Sequence, residues 1–104
     1  MYGDAPNAAN GVGVEADSAS GIALNVKGKA KFSRSGTTTI AAGASSKTIT
    51  LAGVTTSSMV FAMAQQNGSV YVKAVVPGSG SFTIRLTGAV PSGNSLKVAY
   101  FILN

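Results

Sequence analysis

The feature that most constrains this chain is its C-terminal run, Val98-Ala99-Tyr100-Phe101-Ile102-Leu103, which has no strongly polar residue. A strand with one wet face alternates apolar and polar residues, because successive side chains point to opposite sides of the sheet. Here both faces prefer to leave water, so the run reads as a strand buried on both sides. A chain of 104 residues makes one small domain with room for few such strands. The run is therefore the central strand of a sandwich or one covered by another subunit. A second doubly apolar run, Met59-Val60-Phe61-Ala62-Met63-Ala64, sharpens that choice. Two of them exceed what one small core covers, so the C-terminal strand is expected to give one face to the core and the other to a neighbouring subunit.

Other strands follow from alternation and turn residues. Ile22, Leu24, Val26, Gly28, Ala30 and Phe32 point one way, and Ala23, Asn25, Lys27, Lys29, Lys31 and Ser33 the other. This is the longest strict period of two in the chain and predicts a strand with a bend at Gly28. Val12, Val14 and Ala16 predict a shorter strand before it, with a turn over residues 17–21. Further strands are expected around Ile40, over residues 47–51 with Ile49 and Leu51 inward, and over residues 59–64. Asn67-Gly68 suggests a tight hairpin into a return strand over residues 69–76. Ser81 to Thr87 alternates cleanly, and the C-terminal strand closes the series. Seven or so short strands after residue 30 and no helical stripe predict an all-β fold. It is read as a small antiparallel β-sandwich or jelly-roll-like knob. The organisation expected is an extended arm over residues 1–11, a short β-repeat or shaft segment over 12–30, and the knob over 31–104. Repeats of the shaft type cannot bury their apolar face alone and need partner chains.

Composition excludes much chemistry. There is no Cys, His or Trp, and the only three acids are Asp4, Glu15 and Asp17, against eight Lys or Arg. Acid–base catalysis needs a group titrating near neutrality, usually His or a carboxylate. Zinc and hard cations need His, Cys or clustered oxygen ligands. The body after residue 17 has none of these, and no motif places a Ser–Lys nucleophile, so no catalytic, metal or cofactor residues are expected and the protein is read as a non-enzyme. No run reaches the ~20 apolar residues of a membrane-spanning helix, and the N-terminus lacks the basic region and apolar core of a secretory signal. No membrane partner is expected.

Lys27, Lys29 and Lys31 would share one strand face, which suits an anionic partner or simply a solvated face that keeps an edge unpaired. Nucleic acid is not expected, because Phe32, Phe61, Phe82 and Phe101 all fall at inward or doubly buried positions and leave no base-stacking platform. Gln65, Gln66, Asn67 and Tyr71 form the one candidate ligand loop, where amides beside a tyrosine could hold a sugar, although such residues are also ordinary turn chemistry.

Several stretches together resemble a known family: Phe32-Ser33-Arg34-Ser35-Gly36, the Ala-Gly turn with its Thr/Ile strand, Gln65-Gln66, Val76-Pro77, Gly80-Ser81-Phe82-Thr83-Ile84 and Val98-Ala99-Tyr100-Phe101. They look like the C-terminal β-domain of phage-fibre-like proteins of actinobacteria and their phages. There the domain follows Gly-Val and Ser-Gly repeats, as Gly11 to Val26 do here in truncated form. The similarity spans roughly residues 11–104 and its motifs are structural. It implies a homotrimer of shaft-and-knob type on a virion surface. With barely one shaft repeat, the expectation is a compact capsid decoration protein (cement or head fibre). Its arm residues Tyr2, Asp4, Pro6 and Asn7 would grip the major capsid protein or another virion protein. Ile22, Leu24, Val26, Tyr100, Phe101 and Leu103 would form the subunit interface. The alternatives are a tail-fibre tip that attaches to the host and a bacterial surface carbohydrate-binding domain, both of which would bind a host-surface glycan.

Overall fold

The computed structural model describes residues 13–104, in two units: a segment ending at Lys31 and a body running from Phe32 to Asn104. The arm and Val12 lie outside the described residues.

The segment over residues 13–31 contains no strand, and every residue in it is exposed. Val14, Ile22, Leu24 and Val26 are 59%, 76%, 72% and 52% exposed. This corrects the two strands expected there. Period-two alternation states which side chains a strand would bury, but a strand exists only where a neighbour accepts its backbone hydrogen bonds. Among the described residues the segment has no such neighbour. Its turn is nonetheless where expected, with Ser18 Oγ accepting from Gly21 N at 2.9 Å, and Gly28 bends the chain at φ 122°. Lys27, Lys29 and Lys31 are exposed, but not on a strand face.

The body is all-β, with six strands: β1 (Ser35–Ala41), β2 (Ser46–Thr50), β3 (Met59–Ala64), β4 (Val72–Pro77), β5 (Ser81–Leu86) and β6 (Ser95–Leu103). They form two three-stranded antiparallel sheets, ordered β1-β6-β3 and β2-β5-β4. Each sheet is built around the strand with the strongest inward alternation. β5 buries Phe82, Ile84 and Leu86, and β6 buries Leu96, Val98 and Ile102. With Ile40 these side chains pack as one core shared by both sheets. At ~1.5–3 kcal/mol for each large apolar side chain removed from water, this cluster is the main favourable term in folding. Two loop residues, Val54 and Val90, are buried with it. Val90 is pinned from both sides, its N–H donating to Ala44 O at 2.9 Å and its carbonyl accepting from Gly43 N at 2.8 Å.

Every connection except β4–β5 passes from one sheet to the other. The hairpin expected at Asn67-Gly68 is therefore absent: β3 and β4 lie in different sheets. Gln65 N donates to Lys97 O at 2.8 Å, and the Gln66 side chain accepts from Lys97 N at 2.9 Å and donates to Ser95 O at 2.8 Å. That amide takes the ladder positions along β6 where β3 has ended, which frees the backbone to cross to the other sheet. The one true hairpin turns over Gly78–Gly80, where Gly78 N donates to Ser81 O at 2.8 Å. Strict alternation along the return strand expected over residues 69–76 would set Val70, Val72, Ala74 and Val76 on one face, but a bulge between Val72 and Ala74 breaks it. The extra residue shifts the alternation, so Val75 turns in while Val76 is 50% exposed.

Candidate functional site

The outer faces of the two sheets differ sharply. Beyond the second sheet lie Thr48, Thr50, Thr83 and Arg85, with the Thr48 and Thr83 hydroxyls 2.9 Å apart. Hydroxyls and a guanidinium are at ease in water, so this face resembles ordinary solvated surface, with Val76 its apolar exception.

The first sheet presents the opposite. Registration of β3 against β6 sets Phe61 beside Phe101, Met63 beside Ala99 and Met59 beside Leu103, all outward. Phe32 joins them, its ring meeting Phe101 edge-on at a centroid distance of 5.0 Å, and Phe61 lies 6.5 Å from Phe101. Phe61, Met59, Met63 and Phe32 are 56%, 53%, 71% and 53% exposed. Between Phe61, Met63 and Phe101 the surface dips over Ala99. The patch contains no charged residue. Lys97 stands on the same face of β6 beyond Ala99, in register with Thr39, whose carbonyl accepts from Lys47 Nζ at 2.8 Å, and Lys31 precedes Phe32 in sequence.

This corrects the reading that all four phenylalanines turn inward. Only Phe82 does so fully; Phe32 and Phe61 are exposed and Phe101 is half-buried on the outside. Of the residues expected at a subunit interface, Phe101 and Leu103 face outward. Tyr100 turns the other way, its ring 5.2 Å from that of Phe82 within the sandwich. Ile22, Leu24 and Val26 are exposed in the preceding segment. Met59, Phe61 and Met63 were legible as apolar on both faces. Nothing in the sequence states that β3 pairs with β6, and that pairing is what gathers the aromatics into one patch.

The strand β3 is also an open edge. Ladder bonds in an antiparallel pair alternate. Because Gln65 donates to Lys97, the N–H and C=O groups of Val60, Ala62 and Ala64 point away from β6. No backbone hydrogen bond is made to them among the described residues.

The candidate ligand loop is divided by its own structure. The Gln66 amide is committed to β6, Gln65 acts through its backbone, and Tyr71 exchanges bonds with Thr87 while leaving 62% of its surface exposed. The cleft between Asn67, Ser69, Asn94 and Ser95 encloses ≈ 160 Å³, below the ~300 Å³ at which small-molecule pockets begin. On the other side of the loop, Asn67, Tyr71 and Met63 border a shallower groove of ≈ 350 Å³. Among the described residues no group of His, Cys, Asp or Glu could hold a metal ion, and no helix is long and apolar enough to cross a membrane. The arm residues Tyr2, Asp4, Pro6 and Asn7 lie outside the described residues. Compared with protein-family models, curated proteins and solved structures, the chain matches none.

Proposed function

We propose that this chain is a non-enzymatic structural protein of a virion: a homotrimeric capsid decoration protein, of the cement or head-fibre kind, with a jelly-roll-like knob. The reading rests on one observation above others. A single copy leaves two sets of large apolar residues in water, the period-two series Ile22, Leu24 and Val26 and the outer face of the β1-β6-β3 sheet. Monomeric soluble proteins rarely expose contiguous apolar surface on this scale without a partner. The sheet-to-sheet connections suit a jelly-roll-like knob. In this reading the copies cover one another's apolar surfaces, and residues 1–11, through Tyr2, Asp4, Pro6 and Asn7, hold the trimer to the major capsid protein at the virion surface.

Two measurements test it. Light scattering of the full chain at micromolar concentration should give three times the chain mass. Sedimentation with capsids of the virus that encodes it should be lost when residues 1–11 are deleted. A monomer overturns the trimer, and capsid association that survives the deletion overturns the arm.

A second reading, a tail-fibre tip or other glycan-binding attachment module, is favoured by Tyr71. Its exposed ring beside Asn67 has the chemistry of a sugar platform. Glycan-array binding that disappears in Tyr71→Ala would decide for it.

A further inference from the structure

The outer face of the β1-β6-β3 sheet has an identifiable occupant. We propose that it is the surface through which copies of this chain meet, with Phe61, Met63, Phe101 and Phe32 of each copy buried against the next. This rests on the assembly reading above and specifies its contact surface.

Charge narrows the choice of partner first. From Phe32 to Asn104 the chain carries five cations, Arg34, Lys47, Lys73, Arg85 and Lys97, and no acid. Like copies repel over most of that surface, so they can approach only where no cation must be desolvated. The face around Phe61 and Phe101 is such a place, with Lys97 left at its far end. The same lack of charge argues against an anionic partner there, since phosphate or carboxylate groups would meet no cation among the aromatics.

Area carries the argument further. The exposed parts of Phe32, Phe61, Met59, Met63 and Leu103 amount to roughly 500 Å² per copy, taking large side chains at ~150–250 Å² each. A stable specific interface takes ~800 Å² per partner. The face therefore supplies most of an interface but not all of it.

The remainder is at hand in sequence. Phe32 closes the period-two series Ile22, Leu24, Val26, Gly28, Ala30, and it is also the residue whose ring caps Phe101 at 5.0 Å. The series thus ends in sequence at a residue of the face patch, so both apolar sets belong to one continuous stretch of chain and its partner strands. A second copy brings both kinds of surface, and its face around Phe61 and Phe101 brings no acid or base to the contact.

The test uses charge placed outside the core. Phe61→Lys and Met63→Lys alter exposed side chains and leave Leu96, Val98 and Ile102 untouched. Val76→Lys, on the outer face of the other sheet and 50% exposed, is the control. Native mass spectrometry and sedimentation of the full chain should find the wild type and Val76→Lys assembled. Phe61→Lys and Met63→Lys should be monomeric with the same far-ultraviolet circular dichroism, their dissociation constants raised ~100-fold or more by a buried unpaired charge. Assembly that persists in both face variants overturns this proposal and leaves the assembly reading standing. A monomeric wild type overturns both. A wild-type dimer that the face variants dissociate supports the face and overturns the threefold stoichiometry. If a face variant loses its β signal, Met63→Gln, neutral and similar in size, repeats the measurement, and an unweakened assembly there counts against the proposal.

Discussion

Gly36 lies directly opposite Tyr100, and a Cβ at Gly36 would stand 2.9 Å from the tyrosine Oη and 3.2 Å from Cζ. The missing side chain on β1 is the space into which the Tyr100 ring folds on its way to Phe82. Gly36→Ala should therefore push the ring off this seat and loosen its contact with Phe82. The expected loss is ~1–3 kcal/mol, as for other overpacked sites, read from chemical denaturation. Gly36→Ala combined with Tyr100→Leu should recover part of it, because the clash is then gone.

The Gln66 side chain serves as a short substitute for a strand along β6. Removing it in Gln66→Ala should cost ~1–2 kcal/mol for two hydrogen bonds. Gln66→Glu is more informative. It still accepts from Lys97 N but sets a carboxylate oxygen against the Ser95 carbonyl, which raises the folded-state pKa of the new carboxyl above ~4.3. Stability is then retained below the unfolded pKa, where the protonated acid can donate, and is lost as pH rises through the folded pKa. Denaturation midpoints at pH 3.5 and 7 should differ for Gln66→Glu relative to wild type, with the deficit at pH 7.

Ser58 is the one buried polar residue among those described, 5% exposed. Its Oγ donates to Asn104 O at 2.9 Å and accepts from Thr55 N at 2.9 Å, tying the β2–β3 loop to the end of β6. Ser58→Ala strands both partners and should cost ~1–3 kcal/mol. Faster hydrogen exchange at Thr55 and in the last residues of β6 would locate the loss there.

Arg34 presents the reverse case. Its Nε and Nη2 are buried without a hydrogen-bond acceptor among the described residues, the guanidinium lying 3.8 Å from where a Gly53 Cβ would sit. An unpaired buried donor opposes folding. Arg34→Met keeps the length of the side chain and removes those donors, so the variant should be as stable as wild type or up to ~1–2 kcal/mol more stable. A clear fall in its denaturation midpoint would show that the guanidinium has a partner in solution.

The strands of the body were largely legible. β5 and β6 carry alternation or length strong enough to survive without context, and the Gly78–Gly80 turn is spelled out by Pro77 and its glycines. Elsewhere the sequence speaks of side-chain phase while structure depends on pairing. Ile22 to Phe32 has the strictest alternation in the chain and forms no strand, because among the described residues no neighbouring strand accepts its backbone hydrogen bonds. Asn67-Gly68 has hairpin chemistry, yet Gln66 binds β6 and sends the chain across to the second sheet. Phe61 and Phe101 are 40 residues apart in sequence, and only the β3–β6 register makes them neighbours. Val54 and Val90 sit alone among turn residues, so no periodicity marks them as core.

The unused edge of β3 has a consequence for how this protein is lost as well as for how it is held. Met59 to Ala64 carries no charge, proline or bulge, and the outward backbone groups of Val60, Ala62 and Ala64 form a template for any like strand. Once heat frees the edges, strand-to-strand association will compete with refolding. Inactivation should then follow a rate rather than an equilibrium, with an apparent melting temperature that moves with scan speed and protein concentration. For this chain the lifetime of the folded form is the more meaningful measure of its endurance.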